Sequence, residues 1–158
     1  MIVRAIARYA LLLALPILVG AALAEEPHGA VRQVFQAHDR ALGAHDIDGL
    51  MALYADNEEL VLLGTGPGER WLGREAIRNA YLQFMSDFDP GTTDNHCTWS
   101  SIGERGDTAW LAAMCRITDY LANVQREFAL NISAVLVRDG DDWRLQTMHF
   151  SNLAERED

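Results

Sequence analysis

Residues 60–81 read LVLLGTGPGERWLGREAIRNAY, and this stretch decides the architecture. Leu60, Val61, Leu62 and Leu63 form a short apolar run closed by Gly64, the pattern of a buried strand. Gly64, Gly66, Pro67 and Gly68 then predict a reversal, because glycine reaches positive φ and proline holds φ near the turn value. Arg70, Trp71 and Leu72 predict a short return strand, and a helix starts after Gly73. Strand, tight turn, strand and helix in that order mark the opening hairpin of a mixed domain that surrounds a small pocket.

Upstream, Val31, Val34, Phe35, His38, Leu42 and His45 recur at helical spacing, which predicts an amphipathic helix over 30–44. Residues 43–46 break it, and Asp46 caps a second, short helix that carries Leu50, Leu53 and Tyr54 inward. Downstream, Ile77, Ala80, Tyr81, Phe84 and Phe88 form one stripe of a third helix, ended near Asp89-Pro90-Gly91. From Thr93 onward the pattern changes to three longer strands and a fourth, with turns near 103–107, 122–125 and 139–142. Phe128, Leu130, Ile132, Ala134 and Leu136 alternate inward, and unbroken alternation puts Trp143, Leu145, Thr147, His149 and Ser151 on one face of the last strand. Helices first and antiparallel strands after predict an α+β domain with helices on one face of a curved sheet.

Arg4 and Arg8 precede a nearly all-apolar run over 10–22, and Ala22-Leu23-Ala24 supplies a small-x-small cleavage site. The run is shorter than the roughly 20 residues of a spanning helix and is interrupted by Pro16 and Gly20. Residues 1–24 therefore read as a signal peptide, residues 25–158 as one domain, and the expected location is periplasmic or secreted. Removing Arg4 and Arg8 takes the net charge from −10 to −12, with arginine as the only basic residue besides histidine. Such a chain lacks the basic cluster that nucleic acid or anionic lipid requires, so neither is expected as a partner, nor is a membrane after cleavage. Cys97 and Cys115 fall on consecutive predicted strands joined by a tight turn. In an oxidising compartment a disulfide is expected if the register sets them opposite, and two buried thiols if it does not.

The segments AHDIDGLMALYADNEELVLLG, GERWLGREAIRNAY, IGERGDTAW and WRLQTMHFS occur in an order that resembles the nuclear-transport-factor-2-like (NTF2-like) superfamily, in its SnoaL-like branch. The resemblance covers roughly residues 30–152. It implies a cone-shaped curved antiparallel sheet wrapped around a long N-terminal helix, with a cavity at the open end, and a homodimer formed through the outer sheet face. Val135, Val137, Met148 and Phe150 are the apolar residues expected on that outer face. The superfamily hosts isomerases, dehydratases, cyclases and proteins that only bind or dimerise, so the resemblance fixes fold rather than chemistry.

Polar and amphipathic residues on inward faces are the candidates to meet a ligand: His38, Tyr54, Trp71, Trp99, Arg116, His149 and Ser151. His38 and Tyr54 have core packing as their alternative, and Arg116 a solvent-facing ion pair. Tyr81, at helical spacing, reads as core, and Trp110 as a packing residue. A ketosteroid-isomerase-like mechanism needs a carboxylate base beside the opening strand, but the resemblance puts that position on Leu62 and the associated tyrosine on His38. His149 is the residue left to act as a catalytic base, with Asp39 or Asp119 as partner only if they point inward.

GTGPGE lacks the Gly-Lys-Ser/Thr of a phosphate loop, no GxSxG elbow occurs, and the five histidines show no metal-binding spacing. Asn131-Ile132-Ser133 matches a glycosylation acceptor but falls within a predicted strand. The expectation is a cofactor-free and metal-free protein that binds a small, partly apolar molecule. Its alternatives are a proton-transfer enzyme using His149 and a dimerising module.

Overall fold

The computed structural model describes residues 28–153, so the expected signal peptide lies outside the described residues. The elements run α1 (Gly29–Gly43), α2 (Ile47–Ala52), β1 (Val61–Leu63), β2 (Arg70–Leu72), α3 (Arg74–Met85), β3 (Asp94–Arg105), β4 (Thr108–Leu121), β5 (Val124–Asp139) and β6 (Asp142–Asn152). The expected order of helices, opening hairpin, third helix and four strands is the observed one. Asp46 caps α2 as its position predicts, its Oδ1 accepting from the Gly49 amide at 2.9 Å. The opening hairpin closes through Gly64, whose amide donates to the Glu69 carbonyl at 3.0 Å, and Gly68 takes φ 82° in the turn.

All six strands form one sheet in the order β2-β1-β6-β5-β4-β3. Every neighbouring pair is antiparallel except β1 and β6, which run parallel. The short opening hairpin thus extends the sheet from the side of its last strand. Helix α1 packs against β6, β3, α2 and α3. Leu50, Leu60, Ile77, Leu136, Leu145, Met148 and Val31 are fully enclosed between the helices and the concave face. Removing each of these side chains from water contributes roughly 1.5–3 kcal/mol.

Two β-bulges decide which side chains face the helices. In β6, Leu145 is opposite Leu136 but Thr147 is opposite Val135, leaving Gln146 without a partner on β5. Gln146 instead bonds across to the loop before β1, donating to the Glu59 carbonyl at 2.9 Å and accepting from Asn57 Nδ2 at 2.9 Å. The extra residue reverses the parity of the strand. Trp143 and Leu145 face inward, and beyond the bulge so do Met148 and Phe150, in place of Thr147 and His149. In β3 the register shifts between Cys97 and Trp99, with the Thr98 hydroxyl bonded to the Met114 carbonyl at 3.3 Å. Asn95 and Cys97 face inward, whereas Trp99 is turned outward and is 51 % exposed.

The outer face therefore differs from expectation in two residues. Met148 is enclosed and Phe150 faces the concave side, while Val135 remains outside with Trp99, Trp110 and Met114. Trp110 lies over Gly103 of the neighbouring strand, where a β-carbon would approach its indole to 2.4 Å. A side chain at position 103 would force that indole to shift. Cys97 and Cys115 are direct cross-strand partners and are joined by a disulfide.

Candidate functional site

The concave face of the sheet and helices α1 and α3 enclose a cavity of about 760 Å³. Its wall is mostly apolar and rich in aromatic rings: Trp71, Phe84, Phe88, Phe128 and Phe150, with Leu62 beside them. Polar side chains interrupt this wall, and several are held by hydrogen bonds. Asp39, on α1, accepts a hydrogen bond from Asn95 Nδ2 of β3 at 2.9 Å, and both residues line the cavity. Asp119, on β4, is 1 % exposed and is held by Arg126 of β5, whose Nε and Nη2 each donate over 2.7 Å. That bidentate bond, ahead of the opposing effect of burial, raises the Arg126 pKa further, so the pair is a closed ion pair in the wall. The Thr93 hydroxyl also lies in the wall, buried and without a hydrogen-bond partner among the described residues.

Behind Asp39 stands a buried polar chain. His38 is 0 % exposed, with Nε2 2.9 Å from Tyr81 Oη, and the Tyr81 and Tyr54 hydroxyl oxygens are 2.6 Å apart. His38 Nδ1 has no hydrogen-bond partner among the described residues and lies 3.7 Å from Asp39 Oδ1. A bare nitrogen lone pair opposite a carboxylate would be repelled, so the favoured tautomer carries its proton on Nδ1. Nε2 then accepts from the Tyr81 hydroxyl, which accepts from Tyr54, and every donor in the chain points toward Asp39. Burial pushes both tyrosines above the ordinary phenol value, more than any other cause. They are fixed hydroxyls rather than bases.

Of the residues singled out from the sequence, Trp71 lines the cavity. His38 and Tyr54 are core residues that meet Tyr81, His38 through Nε2 and Tyr54 through its hydroxyl. Arg116 sits on the outward positions of β4 and pairs with Glu127. Trp99, His149 and Ser151 are carried outside by the two bulges. His149 stands opposite Ser133, its Nδ1 3.4 Å from the serine hydroxyl, and Ser151 stands opposite Asn131. A catalytic base at His149 is thereby corrected, because the sheet separates it from the cavity and from both inward carboxylates. Sequence reasoning missed Asn95, Phe150 and Asn152 as lining residues. It admitted Asp39 and Asp119 only conditionally. A signal for Asp39 existed, since it neighbours His38 at the edge of the apolar stripe, where a helix turns from core to cavity. Among the described residues, no group of three or more potential ligands is positioned to hold a metal ion.

Residues 31–155 match the family model described as SnoaL-like domain. No curated protein matches the chain. Solved structures share its fold. One, from Streptomyces avermitilis and described as a proposed dehydratase of the NTF2-like family, is 18 % identical, with a TM-score of 0.72 over 80 % of this chain and 95 % of that one. An NTF2-like protein with a cystatin-like fold from Novosphingobium aromaticivorans is 15 % identical, with a TM-score of 0.65 over 83 % and 84 % of the two chains. A ketosteroid isomerase-like protein from Erwinia carotovora atroseptica is 18 % identical, with a TM-score of 0.63 over 82 % and 98 %. Identities this low carry the fold and not the chemistry. The chain belongs to the SnoaL-like domain family, and it shares its fold with solved NTF2-like proteins.

Proposed function

We propose that this protein binds a small, partly apolar molecule in the cavity between the sheet and helices α1 and α3. The observation that carries the reading is the cavity itself: about 760 Å³, walled by aromatic rings, with Asp39 and Asn95 fixed against each other at its surface. That volume falls within the range of small-molecule sites, roughly 300–1,000 Å³, and an apolar wall with few placed polar groups is their usual composition. Native mass spectrometry of protein purified from its natural host tests it. A retained small molecule supports the reading, and a cavity that takes up no molecule offered to it counts against it.

Acid–base chemistry on the bound molecule is the second reading, now with Asp39 in place of His149. Asp39 faces the cavity, is oriented by Asn95 and is backed by the His38–Tyr81–Tyr54 chain. These supports are what a positioned carboxylate base needs. Export to the periplasm or outside, and homodimerisation through the outer sheet face, belong to the same proposal. Trp99, Trp110, Met114 and Val135 expose a large apolar surface there, and a second copy is the proposed cover. Sedimentation analysis of Trp110→Arg checks it, with a monomer expected where the wild type sediments as a dimer.

A further inference from the structure

The charged groups in the cavity wall are unequal in their freedom to meet a ligand. Asp119 is already neutralised by Arg126. Glu69 turns its carboxylate back to the Gly66 amide of its own hairpin, at 2.7 Å. Asp87 and Arg40 are exposed at the rim. Asp39 is different. Its side chain is 28 % exposed, it faces the cavity, and among the described residues no arginine lies within ion-pair distance of it. Its neighbours among the described residues are the neutral amide of Asn95 and the imidazole of His38, whose buried Nδ1 has no hydrogen-bond partner there. The Thr93 hydroxyl, buried and without a hydrogen-bond partner among the described residues, lines the same cavity.

A partly buried carboxylate without a cation retains an uncompensated desolvation cost, which a cationic ligand relieves. The aromatic rings of the wall are the second half of the match, because an ammonium group is drawn to the faces of Trp, Tyr and Phe. An anionic ligand meets the opposite situation: Asp39, Glu69 and Asp87 line the cavity, and among the described residues Arg40 is its one lining cation. We infer that the molecule this cavity selects is a hydrophobic amine, with its protonated nitrogen on Asp39 and its apolar body against Trp71, Phe128 and Phe150. This rests on the proposed binding function and names the chemical class of its ligand.

Isothermal titration of the full-length protein with three matched probes tests the inference: 4-phenylbutylamine, 4-phenylbutanol and 4-phenylbutyrate at neutral pH. The amine is expected to bind about tenfold or more tightly than the alcohol, as a charge-assisted contact does, and the carboxylate more weakly than either. In Asp39→Asn the amine should lose its advantage over the alcohol, and an unchanged circular dichroism spectrum reports that the variant is folded. If Asp39→Asn does not fold, the wild-type ranking alone decides. Equal or weaker binding of the amine than the alcohol overturns the inference and leaves the binding function standing. An amine preference that survives in a folded Asp39→Asn also overturns it. Binding of none of the three overturns both.

Discussion

His38 Nε2 lies 2.9 Å from Tyr81 Oη, and this buried polar contact joins α1 to α3 at the cavity wall, which Tyr81 lines. Tyr81 is its central member, because its hydroxyl also meets Tyr54 at 2.6 Å. Both tyrosines and the histidine are enclosed, so each unpaired group left behind by a substitution costs about 1–3 kcal/mol.

Tyr81→Phe and Tyr54→Phe should therefore differ although they remove the same atom. Tyr81→Phe strands His38 Nε2 and the Tyr54 hydroxyl together, with an expected loss on the order of 3 kcal/mol. Tyr54→Phe removes the end of the chain and leaves Tyr81 bonded to His38, at a cost of about 1 kcal/mol. Urea unfolding of the two variants beside wild type measures both. Equal losses would show that the chain does not act as a unit.

Burial raises Tyr54 and Tyr81 above the ordinary phenol value, and the nearby Asp39 carboxylate adds to the rise at Tyr81. In the unfolded chain both ionise near the usual value of about 10. The folded state thus holds protons that the unfolded state releases, so this contribution is fully present below about pH 10 and is lost as pH rises above it. The expected decline is about 1.4 kcal/mol per pH unit for each tyrosine. Unfolding free energies measured at pH 9, 10 and 11 should show it, and the Tyr54→Phe/Tyr81→Phe double variant should show a flatter profile.

Much of the fold was legible in the sequence because its signals are local. The Leu60–Leu63 run, the glycine-rich turn, the Asp46 cap and the helical stripes each depend on a few adjacent residues. The site was less legible because its lining depends on parity, and two unpaired residues reverse parity. Nothing in the alternation of WRLQTMHFS marks Gln146 as a bulge. The contacts that hold it come from Asn57 and Glu59, far away in the chain. The Thr98 bulge expelled Trp99 in the same way. His38 was hidden for a different reason, since a helical stripe contains core and cavity positions alike, and Tyr54 lies past the end of α2 in a bridge to Leu145.

The bulge in β6 makes a direct prediction about ligand affinity. Phe150→Ala should weaken binding of 4-phenylbutanol on the order of tenfold by removing an aromatic contact from the wall. His149→Ala, on the far side of the sheet, should change it less than about twofold, since surface substitutions away from a site are usually near neutral. Titration calorimetry of the two variants decides. A reversed order would mean that the strand lacks its bulge in solution.

The most direct test of the account uses the four tryptophans as reporters. Trp71 lines the cavity, Trp143 is enclosed in the core, and Trp99 and Trp110 stand on the outer face. Indole resonances in a nitrogen-15 correlation spectrum, followed during titration with 4-phenylbutylamine and 4-phenylbutanol, locate the bound molecule. The account predicts a saturable shift of the Trp71 indole with Trp99 and Trp110 unmoved. Shifts confined to Trp99 and Trp110, or no shift for either probe at saturating concentration, would contradict it.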